Sequence, residues 1–379
     1  MTRPVTGVAT ALVAVALGLT PTVSSAPALT AATVDYLRGT NIGWTPTDEE
    51  YRAFIGRVLT GTGTPADPPT AAGNVPYNGG FWPVSNGLIF DLTWNGSVAQ
   101  GLQNLSARNP QGDVVFGMSQ GSVVASQYKA QHPQGTGNTF VLVANPARPN
   151  GGVLSRFAGL YIPVLDVSFT GATPDNGDAT IDVARQYDGW ADFPTYPLNL
   201  LATTNAILGM ILVHGPTQTQ LTAADIEAAK AAGHSMYYQQ HGDTTYYLIR
   251  TPRLPLLMPL SGIVSDPILD ALDAPLRALV ELGYDRTDYS RPTGAKLLPP
   301  IAAVAQPAGA RSPAAAAGRV VRERRMSTTT ESALAAPAAA EAKTSASAGK
   351  GDVSRHASAA RPGKAASATR AASSGRLRE

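Results

Sequence analysis

Gly117-Met118-Ser119-Gln120-Gly121 matches the pattern G-x-S-x-G. A nucleophilic serine must stand clear of a sheet on a sharp strand-to-helix turn. The residues two positions either side must lack bulk, so that strand and helix can approach each other. Ser119 is therefore the candidate nucleophile, with Gly117 and Gly121 as its elbow. A serine hydroxyl also needs a base to take its proton. The histidines are His132, His214, His234, His241 and His356. The usual chain order for this motif is serine, acid, histidine. His132 comes too early for that order, and His356 falls in an alanine-rich tail. His214 closes the apolar segment 209–213 just before Gly215-Pro216, where an ordered element meets a loop. It is the candidate base, and His241, in His241-Gly242-Asp243, is the alternative base. The acid should follow a strand between the serine and the base. Asp188 and Asp192 lie directly after the strand-like TIDVARQ. Asp188 is nearer the strand end and is chosen; Asp192 is the alternative acid. Either could instead cap a turn.

A tetrahedral oxyanion needs donors aimed at it. The N–H of Gln120, the residue after the nucleophile, is one candidate. The other is Thr40, in the Gly-containing loop Arg38-Gly39-Thr40-Asn41 after the first strand-like run. The chain contains no cysteine, which excludes disulfides, thiolate zinc sites, iron–sulfur ligation and thiol catalysis. It has no HExxH and no G-x-G-x-x-G after a strand. Neither a metal nor a cofactor is expected, since the triad chemistry needs none.

These residues must be held by strands and helices. TVDYLRG (33–39), GLIFDL (87–92), DVVFGM (113–118), TFVLVANP (139–146) and TIDVARQY (180–187) read as strands. Helical patterns run over 48–59, with Thr47 as N-cap, and over 97–109, 121–132 and 198–214. Strands alternating with helices predict an α/β fold with a mostly parallel central sheet flanked by helices. The segment around His234 and His241 reads as a lid or surface connection. The apolar, proline-rich run 254–263 reads as either the lining of an acyl-binding cleft or lid, or ordinary core.

Composition divides the 379-residue chain. Residues 1–31 carry one early basic residue, an apolar run over 8–19 and an Ala26-Pro27-Ala28 break. That is the layout of a secretory signal peptide, with an uncleaved anchor as the other option. Residues 32–300 form the expected globular domain. Residues 301–379 hold 26 alanines, 13 Lys+Arg, 5 Asp+Glu and no aromatics, a composition expected to stay disordered. The basic charges there are spaced out with no aromatics for base stacking, so no nucleic acid partner is expected. The net charge of +2 hides an acidic body and a basic tail.

The elbow GMSQGS, the strand VLVANPARPNGG, the block YDGWADFPTYPLNLLATTNAILGMILVHG and the later YYLIRTPRLPLLMPL and LRALVELGYDR together resemble the PE-PPE domain, a serine α/β-hydrolase family typical of mycobacteria. The resemblance covers about 33–295. It implies an α/β-hydrolase-type domain at 32–300 with Ser119, an Asp of the YDGWADFP block and His214 in the triad. It ranks His214 above His241 and leaves Asp188 and Asp192 unseparated. Leu37-Arg38-Gly39-Thr40 is also similar to the oxyanion loop of cutinases, though cutinases usually carry cysteines. The function this implies is an exported serine carboxylester hydrolase, secreted or peripherally associated with the cell envelope, acting on an acyl ester or lipid. Two alternatives stand beside it: an acyltransferase moving fatty acyl groups to a glycolipid sugar such as trehalose, and a non-catalytic envelope-binding protein.

Overall fold

A computed structural model describes residues 32–298; the leader-like segment 1–31 and the tail 301–379 lie outside the described residues. Among the described residues eight strands are formed: β1 (Val34–Leu37), β2 (Val114–Met118), β3 (Thr139–Val143), β4 (Tyr161–Ile162), β5 (Val167–Ser168), β6 (Thr180–Arg185), β7 (Tyr238–His241) and β8 (Thr244–Ile249). The helices are α1 (Asp48–Thr62), α2 (Trp94–Arg108), α3 (Gln120–Gln131), α4 (Val153–Arg156), α5 (Leu200–Leu212), α6 (Thr217–Gln220), α7 (Ala223–Ala231) and α8 (Asp266–Glu281).

Six strands make one sheet in the order β1-β2-β3-β6-β8-β7, while β4 and β5 pair separately. All neighbours in the large sheet are parallel except the edge strand β7, which is antiparallel to β8. The fold is thus α/β, with a mostly parallel sheet and helices on its faces. Period-two alternation explains why the central strands read as unbroken apolar runs. Val114, Phe116 and Met118 of β2 join one core with α1 and α7 residues such as Phe54 and Ile226. Val115 joins the other core, with Val98 of α2 and Val123 of α3. Residues Val141 and Val143 of β3 face the first core, and Phe140 and Leu142 the second. A strand covered on both faces needs apolar residues at every position.

Local signals set the helix ends. Thr47 caps α1 through a capping box with Glu50, and Gly63 closes it in the left-handed region (φ 69°). The expected strand at 87–92 is not formed. A single 3-10 turn spans Leu88–Phe90, and the Asp91 carboxylate accepts the Gly87 N–H at 2.8 Å. That local bond, with Leu88 at φ 52° and the Phe90 and Asp91 N–H groups turned back to Gly87 O and Leu88 O, holds the backbone in a turn and away from the extended form a strand needs. The segment expected as a lid or surface connection around His241 is instead the β7–β8 hairpin, with Gly242 at φ 54° in its turn. The run 254–263 divides: Leu254 and Leu257 are core beside Tyr187 and Ala202, whereas Leu260 and Ile263 are exposed.

Candidate active site

The carboxyl ends of parallel strands are where such sheets bind ligands. Three of the sought groups lie there. β1 runs into the loop 38–41, β2 into Ser119, and β6 into the loop holding Asp188 and Asp192.

Ser119 stands between β2 and α3 at φ 54°, ψ −118°, a conformation costly for a non-glycine residue. The strain is held by its surroundings. Its N–H donates to Val143 O at 2.9 Å, and the Ser122 hydroxyl donates to Gly117 O at 2.8 Å. Both elbow glycines are sterically required. A Cβ on Gly117 would meet Gly121 O at 2.6 Å, and one on Gly121 would meet Leu37 O at 2.5 Å.

The Ser119 hydroxyl lies 2.8 Å from His214 Nε2. His214 Nδ1 lies 2.8 and 2.9 Å from the two Asp188 carboxylate oxygens. The network assigns Nδ1–H as donor to Asp188 and leaves Nε2 to accept from serine. Asp188 is fully buried, and the Trp190 N–H donates to its Oδ1 at 3.0 Å. The Trp190 ring sits 6.1 Å from that of His214 and stacks on Trp94.

Asp192 belongs to another network. Its oxygens accept from Arg286 Nε at 3.1 Å and Nη2 at 2.7 Å, and from the Tyr187 N–H at 2.8 Å. Both partners are buried, so the pair anchors the acid loop to the segment after α8. The alternative base, His241, is not brought near Ser119. It pairs with Thr244 at the amino end of β8, beside Thr180 at the amino end of β6, whereas Ser119 follows the carboxyl end of β2. Its ring contacts Gln239 at 3.1 Å, on the wall of a cleft of about 370 Å³ shared with Tyr246 and Asp182.

Gln120 opens α3, so its N–H has no intrahelical acceptor. Its side chain is buried and fixed: Oε1 accepts from the Ser97 hydroxyl at 2.9 Å, and Nε2 donates to Gly80 O at 2.8 Å. Across the elbow, a Cβ on Gly39 would come within 3.2 Å of Ser119 Cβ, so the 38–41 loop lies against the serine. The Tyr51 hydroxyl donates to Leu37 O at 3.0 Å, the Tyr77 hydroxyl to Arg38 O, and the Asn41 N–H to Gly79 O at 2.8 Å. Thr40 follows Gly39 directly in that loop.

Sequence reasoning did not single out Gly189 and Gly209, which let the Asp188 loop approach the helix that leads to His214. A Cβ on Gly189 would lie 2.2 Å from Ala206 O, and one on Gly209 would lie 1.8 Å from Tyr187 O. The acid loop and α5 therefore meet backbone to backbone. A glycine inside the uncharged α5 was the available signal.

Arranged in this way, the groups can carry a serine's proton to an imidazole, hold that imidazole in one tautomer, and offer donors to an oxyanion. The PE-PPE domain family model matches residues 66–285, more than half of the chain, and spans Ser119, Asp188 and His214. Esterase PE16 of Mycobacterium tuberculosis (strain ATCC 25618 / H37Rv) is 40% identical over 267 residues, 65% of this chain and 46% of its own. Diacyltrehalose acyltransferase Chp2 of the same strain is 30% identical over 193 residues, 46% of this chain and 52% of its own. The chain thus matches about half the length of these relatives. A solved cutinase-like protein from Cryptococcus sp. is matched at 18% identity and TM-score 0.28, over 43% of this chain and 82% of that chain. A matched segment that runs from before the serine elbow, through the acid loop, to beyond the histidine helix makes this chain a member of the PE-PPE domain family.

Proposed function

We propose that the protein is an exported serine carboxylester hydrolase working through an acyl-enzyme. The single observation that supports this most is the unbroken chain Ser119 Oγ to His214 Nε2, then His214 Nδ1 to Asp188, with every link at 2.8–2.9 Å. In this mechanism Ser119 Oγ attacks the ester carbonyl carbon while His214 Nε2 takes its proton. Negative charge gathers on the carbonyl oxygen, facing the Gln120 N–H and Thr40. Removal of one such donor costs about 3–4 kcal/mol of transition-state stabilisation. The tetrahedral species collapses, the ester C–O bond breaks, and His214 gives its proton to the departing alcohol. Water then attacks the acyl-serine with His214 again as base, releasing the acid and restoring Ser119. Asp188 keeps Nδ1–H pointed inward and stabilises the imidazolium formed in each half. The leader-like segment 1–31 would direct the enzyme out of the cytoplasm.

The test is hydrolysis of p-nitrophenyl esters together with fluorophosphonate labelling. Wild-type protein should hydrolyse the esters and take the label at Ser119, and Ser119→Ala should lose both. Hydrolysis that survives Ser119→Ala, or folded wild-type protein that takes no label, would overturn the assignment.

A second reading is acyl transfer on the same residues, with a sugar hydroxyl replacing water. The 30% identity to a protein named diacyltrehalose acyltransferase favours giving it a test. A lipid acyl donor should be incubated with and without trehalose. Acylated trehalose forming at the expense of free acid would select transfer, and unchanged release of free acid would select hydrolysis.

A further inference from the structure

We propose that the apolar turn Leu88–Phe90 and the outer face of α5 are a docking surface for lipid aggregates with neutral headgroups, set on either side of Ser119. The proposal rests on the ester-cleaving reading of that site. Leu88, Ile89 and Phe90 are 60%, 69% and 89% exposed. Three consecutive large apolar side chains in water are unfavourable unless something covers them. Their position is built in. Leu88 holds φ 52°, a region bulky residues rarely enter, and Asp91 ties the turn shut through the Gly87 N–H. Asn86 donates to Asn41 Oδ1 at 3.0 Å and to Gly43 O at 2.9 Å. The turn is thereby fixed to the loop whose Gly39 lies against Ser119. Trp44, just past that loop, is 62% exposed.

On the other side, α5 leads to His214. Its exposed Leu200, Ile207 and Ile211 are spaced seven and four apart, which places them on one helical face. The charge pattern selects the occupant. Residues 68–90 and 193–224 contain no Lys, Arg, Asp or Glu. An anionic surface would call for a basic cluster, and a protein partner for a polar rim. Asp91, next to the turn, has its carboxylate occupied by the Gly87 N–H and the Asn78 amide; a border otherwise free of charge matches a neutral lipid surface, from which an acyl ester could reach Ser119 without first entering bulk water.

The test uses the full chain, so that the N-terminal segment and basic tail are common to every variant. Flotation with phosphatidylcholine vesicles is compared for Ser119→Ala protein with and without Ile89→Ser plus Phe90→Ser. The double substitution should lower vesicle partition at least tenfold. In the Ser119 background it should leave hydrolysis of a water-soluble p-nitrophenyl ester within twofold of wild type. Unchanged partition overturns the docking surface and leaves the esterase reading standing. Lost partition in a protein that cleaves no ester supports the surface and removes the esterase reading instead. If the substitutions depress soluble-ester hydrolysis, or turn a dimer into a monomer with vesicle binding unchanged, the turn serves the site or a second copy and the proposal fails.

Discussion

Replacing Gly209 with alanine tests whether backbone contact between α5 and the acid loop sets the triad. In an ordinary helix interior, Gly→Ala stabilises by roughly 0.5–1 kcal/mol. Gly209 differs because the new methyl would lie 1.8 Å from Tyr187 O. Relief requires the two backbones to part by roughly 1.7 Å, since non-bonded heavy atoms settle near 3.5 Å. Tyr187 precedes Asp188, and the Gly209 carbonyl accepts the N–H groups of both Val213 and His214 at 3.0 Å. The separation therefore falls almost directly on the 2.8 Å bond between Asp188 and His214. Misplacement by about 1 Å costs on the order of 10²-fold in rate. Overpacking costs about 1–3 kcal/mol of stability. Gly209→Ala should therefore lower kcat for a p-nitrophenyl ester about a hundredfold, with KM little changed, and should lower the melting temperature. Gly56→Ala is the control. Gly56 lies inside α1, and a Cβ there meets nothing within 4 Å. It should gain roughly 0.5–1 kcal/mol with kcat unchanged. If Gly209→Ala keeps kcat within threefold of wild type and melts higher, as Gly56→Ala should, the backbone contact does not set the triad.

The two aspartates of one loop should separate by assay. Asp188→Asn should cut kcat by about 10⁴-fold, by removing the acceptor that fixes the His214 tautomer, with little loss of stability. Asp192→Asn should cost about 3 kcal/mol in urea unfolding, because it strips a carboxylate from the buried Arg286, and should change kcat less than Asp188→Asn does. Lys129 gives a pH signature. Burial pulls its ammonium down to about 8, although it donates to the Thr180 hydroxyl at 2.7 Å. Between pH 8 and 10 the unfolded chain therefore holds a proton that the folded chain has released, so this group adds stability as pH rises. Relative to Lys129→Met, the wild type should gain about 2 kcal/mol over that range. A difference that stays flat with pH would show that Lys129 keeps an ordinary ammonium.

The sheet was largely legible because its strands are covered on both faces. Runs such as VVFGM and TFVLV have no polar side to confuse their reading. GLIFDL was misleading because hydropathy reports the tendency to be buried, not whether a neighbour exists to bury it. Here a local carboxylate closes a turn, and Phe90 stays in solvent. β7 and β8 were missed because Gly242 and the polar residues around it read as a connection, whereas they form the turn of a hairpin.

By itself, the sequence determined the elbow. Glycines two residues either side of Ser119, between a strand and a helix, are a local steric requirement, written in adjacent residues. It also put one histidine at the end of an apolar helix and two aspartates just past a strand. Only the tertiary structure chose among those partners. Asp188 meets His214 because Gly189 and Gly209 let two backbones touch, and Asp192 is taken by Arg286, 94 residues away. His241 sits at the opposite end of the sheet from Ser119 because β7 turns back antiparallel on β8. Local sterics are encoded locally. Which carboxylate reaches which cation or imidazole depends on distances that exist only once the strands are in register and the helices are packed.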